Sequence, residues 1–307
     1  MRGEGTSNTC AKMTETATVH DYPPVAAPFL LPAVAASLPP LPAFEVLGVR
    51  VNAVRMSEAV DRMRCWIDAP FRKTHFVAVT AMHPVAEARR NELYRRILNS
   101  ADLSVPDGMP LIWLARFHGH PLKDRVCGAD LMQTFCRVTG DAYRHFFYGG
   151  GPGVAERLAK SLHEKYGIVI AGTYTPPFRP LTPGEEEAMS SLVEHSSPDV
   201  LWVGLSSPKQ EKWIEEHRHH LRIPVMLAVG AAFDMNSGTI RRAPGWMRQS
   251  GLEWLYRLWF EPRRLWKRYL FTIPQAMCFV AMEILVSALF PSLRGKSGPA
   301  SVDPVRE

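Results

Sequence analysis

From Phe44 to about residue 240 the apolar residues follow two alternating rhythms. Short unbroken apolar runs end in a glycine, proline or polar residue: "THFVAVT", "DLSVP", "RHFFYGG", "GIVIAGT", "PDVLWVGL" and "IPVMLAVG". Each predicts a buried strand, and "FEVLGVRVNAV" ahead of them predicts a strand or hairpin. Between the runs the apolar spacing becomes helical. "SEAVDRMRCWI" predicts an amphipathic helix capped by Ser57, and "PVAEARRNELYRRILNSA" one helix with Pro84 near its first turn. "GMPLIWLARFHG" and "GADLMQTFCRVTG" predict two more, and others begin near Pro152, Thr182 and Pro208. Strands spaced by helices imply right-handed βαβ units: an α/β, Rossmann-like, mainly parallel sheet with helices on both faces. No internal repeat is present.

The pattern fails at both ends. Residues 1–43 are rich in Pro, Ala and Thr without a sustained period, which predicts a disordered leader rather than a signal peptide. Past Gly238 the strands stop. "APGWMRQSGLEWLYRLWF" is helical, and Pro262 opens another helix. The run from Tyr269 to Phe290 is long and apolar, but Pro274, Gln275 and Glu283 interrupt it and Trp, Tyr, Arg and Lys flank it. That composition suits a helix lying in a membrane interface better than one crossing it. The expected organisation is a leader (1–43), an α/β core (44–240), a helical basic aromatic appendage (241–272), and an interfacial helix with a disordered tail (273–307).

Charge sharpens this division. The net charge of the 307-residue chain is +6. Residues 241–272 hold eight Arg and Lys against Glu253 and Glu261, which equals the whole excess. Six Trp and Tyr residues interleave with these cations, so the block suits anionic lipid, a diphosphate or nucleic acid. The five cysteines are scattered and never spaced as CxxC, against a disulfide framework or a structural zinc site. No HExxH or comparable histidine spacing occurs, so no metal site and no cofactor are expected.

Four stretches carry candidate chemistry. In "SVPDGMP", Asp107 follows a strand and precedes a helix, so it is either a helix cap or a carboxylate acting on substrate at the sheet's carboxyl edge. "YGGGPGVAERL" is a glycine-rich turn whose Gly149, Gly150 and Gly151 would let backbone N–H groups approach phosphate. It lacks the GK[ST] of a P-loop, and no acid follows at the end of the next strand, against nicotinamide dinucleotide binding. In "VGLSSPKQEKWI", Ser207 and Gln210 fit a capping box, yet Lys209 and Gln210 would also lie beside the cleft. "VGAAFDMNSGTIRRAP" places Asp234, Arg241 and Arg242 after another strand. There is neither a GxSxG elbow nor a DxD pair, which argues against serine hydrolysis and against the usual metal motif of nucleotide-sugar enzymes.

Taken in order, "ILNSADLSVPDGMPLIWLARFHG", "RVCGADLM", "FFYGGGPGVAE", "VGLSSPKQEKWI", "VGAAFDMNSGTIRRAP" and "GLEWLYRLWFEPRRLWKRYL" resemble the WecG/TagA/CpsF family of bacterial glycosyltransferases, over about Phe44 to Leu270. The resemblance implies an inverting, metal-independent transferase. It would move a sugar, of the N-acetylmannosamine type or another hexose, from a UDP donor to a polyprenyl-diphosphate-linked acceptor. It implies work on the cytoplasmic face of the cell membrane, attached peripherally to an anionic surface, in making wall teichoic acid linkage units, enterobacterial common antigen or exopolysaccharide. The base would be Asp107, with Thr80 and Gln210 beside it. Many members carry an asparagine shortly after the threonine; here the sequence is "TAMHP", and Met82 or His83 stands in its place. With no metal, the leaving diphosphate needs cations, and Arg241, Arg242, Arg257, Arg263 and Arg264 are available with Lys209, Asp234 and the glycine-rich turn nearby. A non-catalytic membrane scaffold is the rival reading. Nucleic acid is not an expected partner, because no binding motif accompanies the basic block; a homo-oligomer is compatible with the sequence.

Overall fold

The structure, a computed structural model, describes residues 17–18, 39–70 and 73–289. The leader expected over 1–43 lies mostly outside the described residues, as does the tail expected beyond residue 289. Of the leader, strand β1 (Ala17–Thr18) runs antiparallel along a sheet edge. The hairpin β2 (Ala43–Val46) and β3 (Val49–Asn52) opens the α/β core, as the first apolar run predicts.

Six parallel strands follow: β4 (His75–Thr80), β5 (Leu103–Pro106), β6 (Arg144–Gly149), β7 (Val169–Tyr174), β8 (Val200–Gly204) and β9 (Val225–Ala228). The sheet order is β1-β7-β6-β8-β9-β4-β5. Alternate residues of each strand feed opposite cores, because successive side chains of a strand point to opposite faces. Phe76, Ala78, Leu201 and Val203 join one core, and Val77, Val79, Val200 and Trp202 the other. The first core is covered by α2 (Met82–Arg90), α3 (Glu92–Asn99), α7 (Pro183–Ser196) and α8 (Lys209–His217). The second is covered by α1 (Met56–Asp68), α5 (Gly128–Thr139) and α6 (Val154–Tyr166). Burial on both faces explains why the strands are continuous apolar runs rather than alternating ones. The connections from β6 and from β8 leave in opposite directions, so the sheet reverses between those two strands.

Two local expectations are corrected. Ser57 does not cap α1, which starts one residue earlier; the Glu58 carboxylate accepts the Arg55 N–H at 2.7 Å instead. The single helix expected from Pro84 to Ala101 is two, α2 and α3, broken at Asn91. Asn91 leaves the helical region and its Oδ1 accepts the Tyr94 N–H at 3.0 Å, a local bond that competes with continuing the helix.

Beyond the sheet come α9 (Ala232–Asn236), α10 (Gly245–Gln249), α11 (Glu253–Phe260) and α12 (Pro262–Lys267). The chain then widens into a π-helical turn, Arg268–Thr272, and continues as α13 (Ile273–Leu289). Pro274 explains the widening: it has no N–H for the carbonyl four residues back, and its ring would collide there. The Ile273 N–H reaches back five residues to the Arg268 carbonyl. One side of α13 docks on α2, burying Ala276 and Val280, with the Arg89 guanidinium 3.4 Å from the centre of the Phe279 ring. Met282 and Leu285 remain exposed on the other side. Part of the apolar surface that the sequence assigns to a membrane interface is therefore covered by protein. Among the described residues no helix is long and apolar enough to cross a membrane.

Asn91→Ala is expected to lower stability by about 1 kcal/mol, while Asn91→Ser retains most of it, because only the second keeps a cap. Urea unfolding of both variants measures this; equal losses would mean that the cap does not hold the break.

Candidate active site

The carboxyl ends of β5, β4, β9 and β8 form the floor of a cavity of about 490 Å³, within the size range of small-molecule sites. Its lining includes Ala81 and His83 after β4, Asp107 after β5, Ser206 and Ser207 after β8, and Gly230 after β9. The appendage supplies the opposite wall through Glu253, Trp254, Arg257, Arg268, Tyr269 and the start of α13. It approaches closely at Gly251, where a Cβ would stand 2.8 Å from Met109 Cγ in α4 (Met109–Phe117).

Asp107 is not a helix cap. The N-cap of α4 is Gly108, at φ 95°, and no side chain caps that helix. This left-handed turn, which favours glycine, separates the carboxylate from the helix start. Two backbone bonds hold the turn: the Asp107 N–H donates to the Thr80 carbonyl at 2.7 Å, and the Val126 N–H to the Pro106 carbonyl at 2.8 Å. The second brings the loop before α5 across the site, with Arg125 on it. Arg125 Nη1 lies 3.6 Å from Asp107 Oδ1, and its Nη2 donates to Glu253 of the appendage. Asp107 Oδ1 is buried without a hydrogen bond. Burial pushes this carboxyl up to about 6, against the pull of Arg125 and with Glu253 adding to the rise. That places it near neutrality, where a general base works best.

Thr80 is close by but turned away. It is fully buried, its Oγ1 is 2.7 Å from Ser104 Oγ, and it does not line the cavity. Its contribution is the carbonyl that anchors Asp107. His83 lines the cavity with Nδ1 buried and unpartnered, and burial followed by the nearby Arg268 holds the ring down at about 4, neutral at pH 7.

Gln210 is buried and lines the cavity, but the capping box expected with Ser207 does not form. The N-cap of α8 is Pro208, and the Ser207 hydroxyl donates to Glu211 Oε1 at 2.6 Å. Gln210 Nε2 donates to the same oxygen at 3.0 Å, leaving Gln210 Oε1 unpartnered beside Gly230. A carboxylate that takes both neighbours' donors leaves the amide oxygen buried without a partner next to the cavity lining. Burial raises the Glu211 carboxyl.

The remaining sequence candidates are more dispersed. Arg257 lines the cavity, 3.8 Å from Glu261. Arg242 pairs with Asp130 at 2.8 Å, outside the lining. Lys209, Arg241 and Arg263 are exposed and do not line it either; the Arg264 side chain lies outside the described residues. Asp234 organises its loop through its carbonyl, which accepts the Ile240 N–H at 2.9 Å. Gly149, Gly150 and Gly151 are also outside the lining: the Gly150 N–H donates to the Gly204 carbonyl, and the turn packs on Val154 and Phe233. Arg125, Glu253 and Arg268 are charged residues of the lining to which sequence reasoning gave no role at the site, and His83 enters there only as one of two residues in the place of the family's asparagine. In the sequence Arg125 stands out only as a member of "RVCGADLM", and Glu253 only as a member of "GLEWLYR" and one of two acids in the basic block. Among the described residues, no three His, Cys, Asp or Glu side chains gather as a metal site would require.

The family described as the Glycosyl transferase WecG/TagA/CpsF family matches residues 44–288, past Leu270 and through most of α13. An N-acetylglucosaminyldiphosphoundecaprenol N-acetyl-beta-D-mannosaminyltransferase of Bacillus spizizenii is 33% identical over 204 residues, 66% of this chain and 77% of the relative. Proteins of the same description from Bacillus subtilis and Staphylococcus aureus are 31% and 26% identical, covering 62% and 73% of this chain and 72% and 85% of the relatives.

The raised carboxyl of Asp107 has a consequence for stability. The folded chain holds this proton more tightly than the unfolded one, so the associated stability is complete below about pH 4 and is lost as the pH rises through about 6. The stability difference between wild type and Asp107→Asn is therefore expected to shift against wild type across that window and to level off above it. Urea unfolding from pH 4 to 7.5 tests this, and a difference independent of pH contradicts it.

Proposed function

The chain belongs to the WecG/TagA/CpsF family of glycosyl transferases and is a glycosyltransferase, and we propose that it transfers a hexose from a UDP donor to a polyprenyl-diphosphate-linked sugar with inversion. The observation that carries this reading is the Asp107 carboxylate, which lines the cavity between the sheet edge and a basic wall and whose Oδ1 is buried without a hydrogen bond. In an inverting displacement the acceptor hydroxyl attacks the anomeric carbon from the face opposite the leaving group. Asp107 takes the hydroxyl proton as the new C–O bond forms and the anomeric carbon–oxygen bond to the diphosphate breaks. UDP departs with that bonding pair, and Arg257 and Arg268 stand on the cavity wall to meet the charge. Gln210 Oε1 offers an acceptor to a substrate hydroxyl or N–H. No step requires a metal held by the protein.

The acceptor follows from two supports. The named relatives act on a sugar carried by diphosphoundecaprenol. The appendage that walls the cavity also presents Trp259, 82% exposed, with Phe260, Trp266, Leu270 and Phe271 and the exposed cations Arg263 and Lys267. Aromatic rings among cations suit the boundary of an anionic bilayer, where each cation contributes about 1 kcal/mol. We therefore place the enzyme peripherally on the inner face of the cell membrane, in the synthesis of an exopolysaccharide or another cell-surface polysaccharide, with an N-acetylmannosamine-type sugar the first donor to test.

UDP release from candidate UDP-hexoses, with a short-chain polyprenyl-diphosphate-linked N-acetylglucosamine, tests the reading in excess EDTA. Release that requires both substrates is expected, and Asp107→Asn should lower it about 10²- to 10⁴-fold while remaining folded. Near-wild-type turnover in the folded variant overturns the role of Asp107. Absence of release with every donor favours a non-catalytic scaffold, and a loss that magnesium restores overturns metal independence.

A further inference from the structure

The contact between Arg125 and Glu253 joins the α/β core to the appendage inside the cavity. Arg125 belongs to the loop before α5, and Glu253 is the first residue of α11. Their side chains are 17% and 7% exposed, against 25% for Asp107. An arginine this close to a carboxylate ordinarily closes on it with hydrogen bonds of about 2.7–2.9 Å, often two at once. Arg125 does not do so with Asp107. Its Nη2 is engaged by Glu253, its Nη1 stops 3.6 Å from Asp107 Oδ1, and that oxygen has no hydrogen bond.

We infer that Glu253 is a positioning residue that holds Arg125 back from Asp107, so that docking of the appendage leaves the carboxylate free to accept a proton. This rests on the reading of Asp107 as the base. Without Glu253 the nearest competing carboxylate is Asp107 itself. The freed guanidinium would close on it, occupy its lone pairs and weaken it as a base. With Glu253 in place, the cation is neutralised where it stands.

The other charged and titratable groups around Asp107 do not substitute for this pair. Cys127, on the same loop, is a buried thiol whose proton is held more tightly by burial. On α5, Asp130 is engaged by Arg242 and Arg248. On α11, Arg257 faces Glu261 at 3.8 Å. From α2, His83 is neutral, and the π-helical turn contributes Arg268 and Tyr269 to the wall. From the appendage side, Glu253 alone among the described residues forms an ion pair with Arg125. A first-turn acid also favours its own helix through the helix dipole, so a structural role has to be separated from the positioning one.

The pH profile of kcat/KM, read with a water-soluble acceptor analogue, makes that separation. In wild type the acidic limb is expected near pH 6. Glu253→Gln keeps the shape and removes the charge. Its limb should move about 1–3 pH units lower, the size of the effect of a nearby opposite charge on a carboxylate, with a lower plateau. Arg125→Gln should move the limb up, and adding Glu253→Gln to Arg125→Gln should move it down by less than Glu253→Gln does in wild type, because only the direct repulsion between the two carboxylates is then removed. A helix-stabilising role alone would lower activity without shifting the limb, and that result overturns the inference. Should Glu253→Gln fail to fold, an unshifted limb in Arg125→Gln overturns it equally. If Asp107→Asn keeps wild-type turnover, the base assignment itself has failed; if Asp107→Asn is inactive while both limbs stay in place, only the inference has.

Discussion

The site depends on keeping one carboxylate partly out of water without neutralising it. Asp107 sits where two parallel strands end, tied by backbone bonds from its own N–H to β4 and from Val126 to β5. These bonds fix the position and leave the side chain unused. Burial then favours the neutral acid, while Arg125 favours the anion. Desolvation is the larger effect, so the group lies near neutrality instead of in the ordinary carboxylate range. A full Arg125–Asp107 ion pair would reverse that balance, and the third partner, Glu253, lies in a different part of the chain.

The appendage therefore supplies one wall of the cavity as well as the exposed aromatic residues. Gly251 lets it approach α4, Glu253 reaches Arg125, and Arg257, Arg268 and Tyr269 complete the wall. The π-helical turn fits the same logic. Pro274 prevents a regular helix there, and the turn that absorbs it carries Arg268 and Tyr269 into the cavity. Downstream, α13 is held on α2 by Ala276 and Val280. The helical run that carries the outward-facing aromatic residues thus rests on the helix that follows β4. The exposed aromatic residues and one wall of the cavity thus belong to the same run of helices.

The division between sequence and tertiary structure follows from the range of the forces. Unbroken apolar runs such as "HFVAVT" and "VLWVG" determined the strands, because burial on both faces leaves no polar alternation. The order PDG, PKQE, RAP and LEWLYR, with its spacing, determined the family. At Ser57, at Asn91 and at the capping box that Ser207 and Gln210 offer, the structure departs from the local pattern because caps are decided by single hydrogen bonds among competing neighbours. Glu58, Tyr94 and Glu211 supplied the partners that the local pattern did not rank.

Asp107 and Gln210 could be nominated from the sequence, because a polar residue at a strand's carboxyl end marks the edge where ligands bind. Which other groups surround them could not. Arg257 lines the cavity while Arg242 is spent on Asp130, and no periodicity distinguishes two arginines of one basic segment. The glycine-rich turn, suited by composition to phosphate, is closed by its own backbone against β8. Arg125 and Glu253 stand 128 residues apart, and they meet only when the appendage folds back over the sheet. Sequence alone determined the strands, the basic block and the carboxylate at the sheet edge, because those rest on local burial and composition. Tertiary structure decided the protonation of that carboxylate and the cations that face it, because charges act through space and the chain brings their partners from distant segments.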